Sequence, residues 1–83
     1  MFYLLVFSTL TAAQRGAKLL MGAGIYAYVM KSPSTIVTEG CNHGVRVGYA
    51  AIEKTMRILK SNRHMPTHVY LVDAGGGARE VYV

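Results

Sequence analysis

The chain has no tryptophan, a single cysteine, two prolines and only four acidic residues among its 83 positions. Each shortage excludes something. One cysteine, Cys41, allows no intramolecular disulfide, no Cys-x-x-Cys redox pair and no cysteine-rich zinc site, and it fits a reducing, cytoplasmic setting. The four carboxylates, Glu39, Glu53, Asp73 and Glu80, are scattered and offer no pair for general acid–base work. No P-loop, no G-x-G-x-x-G and no G-x-S-x-G elbow occurs, which removes the commonest phosphate-cradling and serine-nucleophile chemistries. No apolar run reaches the roughly 20 residues that a membrane helix needs. "MFYLLVFSTLTAAQ" lacks the basic start of a signal peptide, and "LLMGAGIYAYVM" is interrupted by Gly22 and Gly24. Both read as core elements, and no membrane partner is expected.

What is present is an apolar fraction of 52%, enough for the one core of a small single domain. Charged residues make up only 16%, so the surface is apolar for so small a body and points to a partner protein or a homo-oligomer. Nine Lys and Arg residues against four acids give a net charge of +5. They are dispersed rather than clustered, as on a solvated surface that also suits an anion or an acidic protein. "GVRVGY" does not match the aromatic third-strand signature of small RNA-binding sheets, and no nucleic acid is expected.

The unbroken apolar run "FYLLVFS" (Phe2 to Ser8) predicts a central strand. Ser8 or Thr9 then offers an oxygen to the free amides of a helix start. "LTAAQRGAKLLMGAG" has helical periodicity, with Leu10, Ala13, Ala17 and Leu20 on one stripe, Met21 beside it, and Gly24 as the capping residue. "IYAYVMK" reads as a second strand and "VRV" as a short third one. "YAAIEKTMRILKSNR" reads as a second helix with the stripe Ile52, Met56 and Leu59 and a favourable Glu53–Arg57 spacing. "THVYLVD" reads as a fourth strand. Gly75, Gly76 and Gly77 either turn the chain so that "REVYV" pairs back on "HVYLV", or begin a loose tail over residues 74–83. The order βαββαβ predicts one α+β domain over residues 1–83. It is a ferredoxin-like two-layer sandwich with two helices on one face of an antiparallel sheet.

The connection between the second and third strands, "SPSTIVTEGCNHG", is roughly a dozen residues, longer than an average connector. It holds Cys41 between Gly40 and Asn42, with His43 and Gly44 following. A free cysteine is often simply a small buried hydrophobe. Glycines at 40 and 44, however, let backbone amides approach the sulfur closely. His43, Arg46 and Lys31 are the candidate positive neighbours that would favour a thiolate. Ser32, Ser34 and Thr35, with Thr38, enrich the segment in hydroxyls. These either satisfy the loop backbone or join Lys31 in holding an oxyanion. His64 and His68 match no zinc template with Cys41 and His43, and neither metal nor cofactor is expected.

Three stretches resemble the family of selenium/sulfur carrier protein-like domains. "YLLVFSTLTAAQRGAKLLMGAGI" is similar to its opening strand, Phe-x-Ser-Thr turn and helix ending in Gly-Ile. "VMKSPSTIVTEGCNHGVRV" is similar to its central loop, and "YAAIEKTMRILK" to its second helix. The resemblance covers Tyr3 to Val72. It implies that Cys41 takes up sulfur or selenium as a persulfide or selenopersulfide and exchanges it with a donor or acceptor protein. The residues around the bound atom would be Lys31, Ser32, Ser34, Thr35, Gly40, Asn42, His43, Gly44 and Arg46. Members of the family often carry a second cysteine shortly after the first. Asn42 and His43 stand there in this chain, so no resolving thiol is at hand. Such a protein is an accessory carrier rather than a stand-alone enzyme. The competing expectation is a non-catalytic binding or regulatory module for an anionic ligand or a protein partner, in which Cys41 is dispensable.

Overall fold

The computed structural model describes residues 1–31 and 43–82. The elements run β1 (Phe2–Val6), α1 (Leu10–Gly22), β2 (Ala27–Lys31), β3 (His43–Gly48), a 3-10 turn (Tyr49–Ala51), α2 (Ile52–Ser61), β4 (His68–Val72) and β5 (Ala78–Glu80). The sheet order is β2-β3-β1-β4-β5, with every neighbouring pair antiparallel. This is the expected ferredoxin-like arrangement of two helices against one antiparallel sheet, widened by β5.

β1 lies in the middle because it is apolar on both sides. Tyr3 and Leu5, continued by Phe7, join the main core with Ala13, Ala17 and Leu20 of α1 and Leu59 of α2. Leu4 and Val6 point to the opposite face, where they cluster with Val72 and with Phe2, Met30 and Tyr70. Leu4, Leu5, Leu20 and Leu59 are fully buried. Burial of each such side chain contributes about 2 kcal/mol relative to exposure.

Both helix ends follow from local sequence. Thr9 caps α1, its Oγ1 accepting the Ala12 amide at 3.0 Å. At the other end Gly24 has φ +82°, and its N–H and that of Ile25 bond back to Met21 and Leu20. α2 closes by the same hydrogen-bond pattern through Arg63 and His64, with Arg63 held at φ +52° where α1 uses glycine. Among the described residues no helix is long and apolar enough to cross a membrane.

The structure departs from the helical-stripe expectation in physical detail. Leu10 and Met21 lie at the two ends of α1 and are 42% and 55% exposed. The buried stripe turns instead through Gly16, where a Cβ would come within 2.9 Å of Phe7 Cζ. In α2 the fully buried pair is Thr55 and Leu59, with Ile52 and Met56 half-buried. Among the described residues Glu80 is hydrogen-bonded by His68 and no Glu53–Arg57 ion pair forms.

The Thr55 hydroxyl is buried without a hydrogen-bond partner among the described residues. An unmet buried hydroxyl costs about 1–3 kcal/mol. Thr55→Val keeps the shape and removes that cost. It is expected to raise stability by about 1 kcal/mol, read as a rise of about 4–8 °C in the melting temperature.

The choice left open at the glycine run is decided for the hairpin. β5 pairs with β4 in the register Tyr70↔Glu80, Leu71↔Arg79, Val72↔Ala78. The Gly76 amide bonds to the Asp73 carbonyl, Gly76 takes φ +86°, and the Asp73 amide bonds to Gly77 O. Asp73 Oδ1 accepts from the Gly75 and Gly77 amides at 2.9 and 3.0 Å. This is a three-residue hairpin loop that requires a left-handed residue at its third position.

Candidate functional site

Residues 32–42 connect Lys31, the last residue of β2, to His43, the first of β3. These two residues are directly opposed in the β2–β3 register. Opposed Cα atoms in an antiparallel pair stand about 5 Å apart. Lys31 is exposed and His43 half-buried, and His43 makes a contact of its own. Six of the expected site residues, Ser32, Ser34, Thr35, Gly40, Cys41 and Asn42, lie outside the described residues.

The end of the sheet to which Lys31 and His43 belong is tightly framed. Val6 stands opposite Gly44 on one side and His68 on the other. The Thr67 amide and its Oγ1 both donate to Val6 O, at 2.8 and 2.9 Å. His64 donates Nε2–H to Ala12 O at 2.7 Å and stacks on Phe7 with centroids 5.1 Å apart. That bond joins the exit of α2 to the first turn of α1. A carbonyl oxygen can only accept, so it also fixes the proton on Nε2. His68 Nδ1 donates to Glu80 Oε2 at 2.8 Å. All three histidines therefore gather at this end, yet among the described residues no three His, Cys, Asp or Glu side chains are placed to hold a metal.

Two expected neighbours of the thiol have other work in the described structure. Gly44 is buried because β3 and β1 approach closely: a Cβ there would lie 2.9 Å from Leu4 Cδ1 and 3.0 Å from Leu5 O. Packing alone therefore requires the glycine. Arg46 lies three residues along β3 from His43, hence on the other face of the sheet. Its guanidinium sits 3.9 Å over the Phe2 ring and 5.9 Å from the Tyr28 ring centroid. The structure brings Lys31 and His43 together and sets Arg46 apart from them.

On that helix-free face, burial raises the pKa of the Tyr70 phenol, with smaller contributions from Glu80 and Tyr82. A raised phenol pKa favours the neutral folded form. Its contribution is complete below the ordinary value near 10 and disappears as pH climbs through the folded one.

The sequence reading missed a groove of about 590 Å³ between α1 and β2. Its walls include Gln14, Arg15, Lys18 and Met21 from the helix and Tyr28 and Val29 from the strand. The signal was available. Gln14, Arg15 and Lys18 fall away from the apolar stripe of α1, but nothing in the sequence says that this flank faces the free edge of the sheet.

Among proteins compared with this one, no curated protein and no solved structure matches the chain. A family model described as "Putative Se/S carrier protein-like" matches residues 2–71. The matched stretch runs from β1 into β4 and spans the segment that holds Cys41. It stops before the Asp73–Gly77 turn and β5. With the match covering most of the 83 residues and all of the βαββα framework, the chain belongs to the Se/S carrier protein-like family.

Proposed function

We propose that the protein carries sulfur or selenium on Cys41 as a persulfide or selenopersulfide, receiving the atom from one protein and passing it to another. The observation that supports this most is family membership across residues 2–71, a stretch that contains the only thiol of the chain. The setting of the segment agrees. Covalent geometry keeps the Cys41 Cα within about 7 Å of that of His43, and Lys31 stands opposite His43. A cation near a thiol favours the thiolate, which is the nucleophile. In this reading Lys31 and His43 are the direct neighbours, and Ser32, Ser34, Thr35, Gly40, Asn42 and Gly44 surround the bound atom. Arg46, whose guanidinium lies over the Phe2 ring, is the more distant cation of the set in this reading.

The transfer balances without an external oxidant. The Cys41 thiolate attacks the outer sulfur of a donor persulfide. The new S–S bond forms as the donor's S–S bond breaks, and the donor leaves as a thiolate. Delivery is the same exchange onto an acceptor thiolate. A lone thiol suits this role, since no second cysteine is present to displace the carried atom and close a disulfide.

The test is the labile sulfur content of the folded protein after treatment with a low-molecular-weight persulfide and removal of the reagent. A stoichiometric amount released by cyanide is expected, falling to background when thiols are alkylated beforehand. Background levels after persulfide treatment of the protein whose thiol was left free would refute the reading.

A further inference from the structure

The two edges of the sheet are unequal. β5 is three residues long and carries Arg79 and Glu80, with Glu80 held by His68. Short, charged edges resist pairing with another chain. β2 is five residues long, Ala27–Lys31, and its one charge is at the end. Beside it Tyr26 is 83% exposed, in edge-to-face contact with Tyr28 at 5.7 Å, and Met21 is also exposed. Among the described residues nothing pairs with the outer side of β2.

The chemistry beside this edge has one sign. Arg15 and Lys18 of α1 line the groove along β2, and Lys31 is the last residue of the strand. Among the described residues no acidic side chain lines it. An extended segment laid along β2 would meet unpaired backbone groups from alternate residues, apolar surface from Met21, Tyr28 and Val29, and two cations on the helix side. That set of contacts selects an acidic strand. A second copy of this chain fits poorly, because pairing β2 to β2 would bring Arg15, Lys18 and Lys31 of both protomers to one seam without compensation.

We propose that the β2 edge and the basic flank of α1 form the docking site for an acidic, extended segment of the protein that exchanges sulfur or selenium with this one. The partner's role, though not the binding itself, rests on the carrier reading above. The consequence for function is positional. β2 ends at Lys31, where the sequence that holds Cys41 begins, so a strand added to this edge has one of its ends beside Lys31. Backbone pairing supplies affinity in such strand addition, and the alternating side chains supply selectivity.

The probe is the hexapeptide acetyl-Glu-Val-Glu-Val-Glu-Val-amide, titrated into the labelled protein and followed by amide NMR. Saturable shifts confined to Ala27–Lys31 and the facing side of α1 are expected. Binding should weaken about tenfold in the Arg15→Glu/Lys18→Glu double variant, whose exposed positions leave the core untouched. It should be lost when alternate peptide amides are N-methylated. Equal binding of the lysine analogue, equal binding of the N-methylated peptide, shifts at β5, or dilution-dependent shifts at β2 in the protein alone would each overturn the proposal. The last would assign the edge to a second copy. Cys41→Ser is titrated in parallel. Docking that fails in a protein that still loads sulfur removes the docking site alone, and loading that fails with docking intact removes the carrier reading alone.

Discussion

Cys41→Ser takes up no labile sulfur, while its circular dichroism and melting curve match those of the parent. The expected effect is all or none, because the chain has no other thiol. Its five methionines are thioethers, which have no S–H to lose and cannot carry a persulfide. A serine hydroxyl is far too weak an acid to supply an anionic nucleophile near neutral pH, and oxygen does not form the stable chalcogen bond that sulfur forms with sulfur or selenium. The five strands and two helices that the structure describes are built from other residues, so the fold should survive. The measurement is cyanide-released sulfur from parent and variant after identical treatment with a persulfide. Labile sulfur in the variant equal to that in the parent would mean that the atom is held elsewhere or only adsorbed.

Gly44→Ala lowers stability by about 2 kcal/mol, within the usual range for overpacking a filled site. The new Cβ would sit 2.9 Å from Leu4 Cδ1, 3.0 Å from Leu4 Cγ and 3.0 Å from the backbone oxygen of Leu5. Leu4 is fully buried, so it yields only by pressing on the residues around it. Leu5 is the register partner of Val45, so moving its carbonyl disturbs the β1–β3 ladder. A loss of this size corresponds to about 10 °C in melting temperature for a domain of this length. Gly48, at the other end of the same strand, would meet nothing within 4 Å, so Gly48→Ala is the matched control and should change stability by less than about 0.5 kcal/mol. Adding Leu4→Val to Gly44→Ala shortens the obstructing side chain and should recover part of the loss, a coupling that a double-mutant cycle reads directly. Equal melting temperatures for Gly44→Ala and the parent would contradict the close β1–β3 contact.

The framework was largely legible because the local signals agree with one another. The apolar run at Phe2–Val6, the threonine that caps α1, the glycine that ends it and the two helical periods all specify the same βαββαβ order. The fourth strand is legible in "THVYLVD", whereas the glycine run leaves the tail open between hairpin and loose end, and the β4–β5 register decides it. What could not be read was anything fixed by contact between distant elements. Periodicity gives α2 an apolar stripe but does not reveal that Thr55 is sealed beneath it. Nor does it reveal that Gly16 and Gly44 are glycine because Phe7 and Leu4 occupy the space of a side chain. Sequence considers His64 only as a metal ligand that fits no zinc template, and its bond to Ala12 O across 52 positions is a tertiary fact.

The site divides along the same line. Sequence placed Lys31 and His43 at the two ends of one long connection, and the register sets them opposite each other. Arg46 was grouped with them by nearness in sequence. An odd offset along a strand puts it on the other face, over Phe2. The Arg15–Lys18 flank of α1 acquires meaning only beside the β2 edge, a juxtaposition that no linear pattern contains.

The carrier reading is tested most directly by the mass of the Cys41 peptide, taken as a time course after the native protein meets a persulfide donor in the absence of reductant. The expected result is the gain of one sulfur atom at Cys41, reversed by reductant and faster than for free cysteine under the same conditions. A thiol that stays unmodified in the native protein and reacts only after unfolding would contradict it, and would make Cys41 a packing residue.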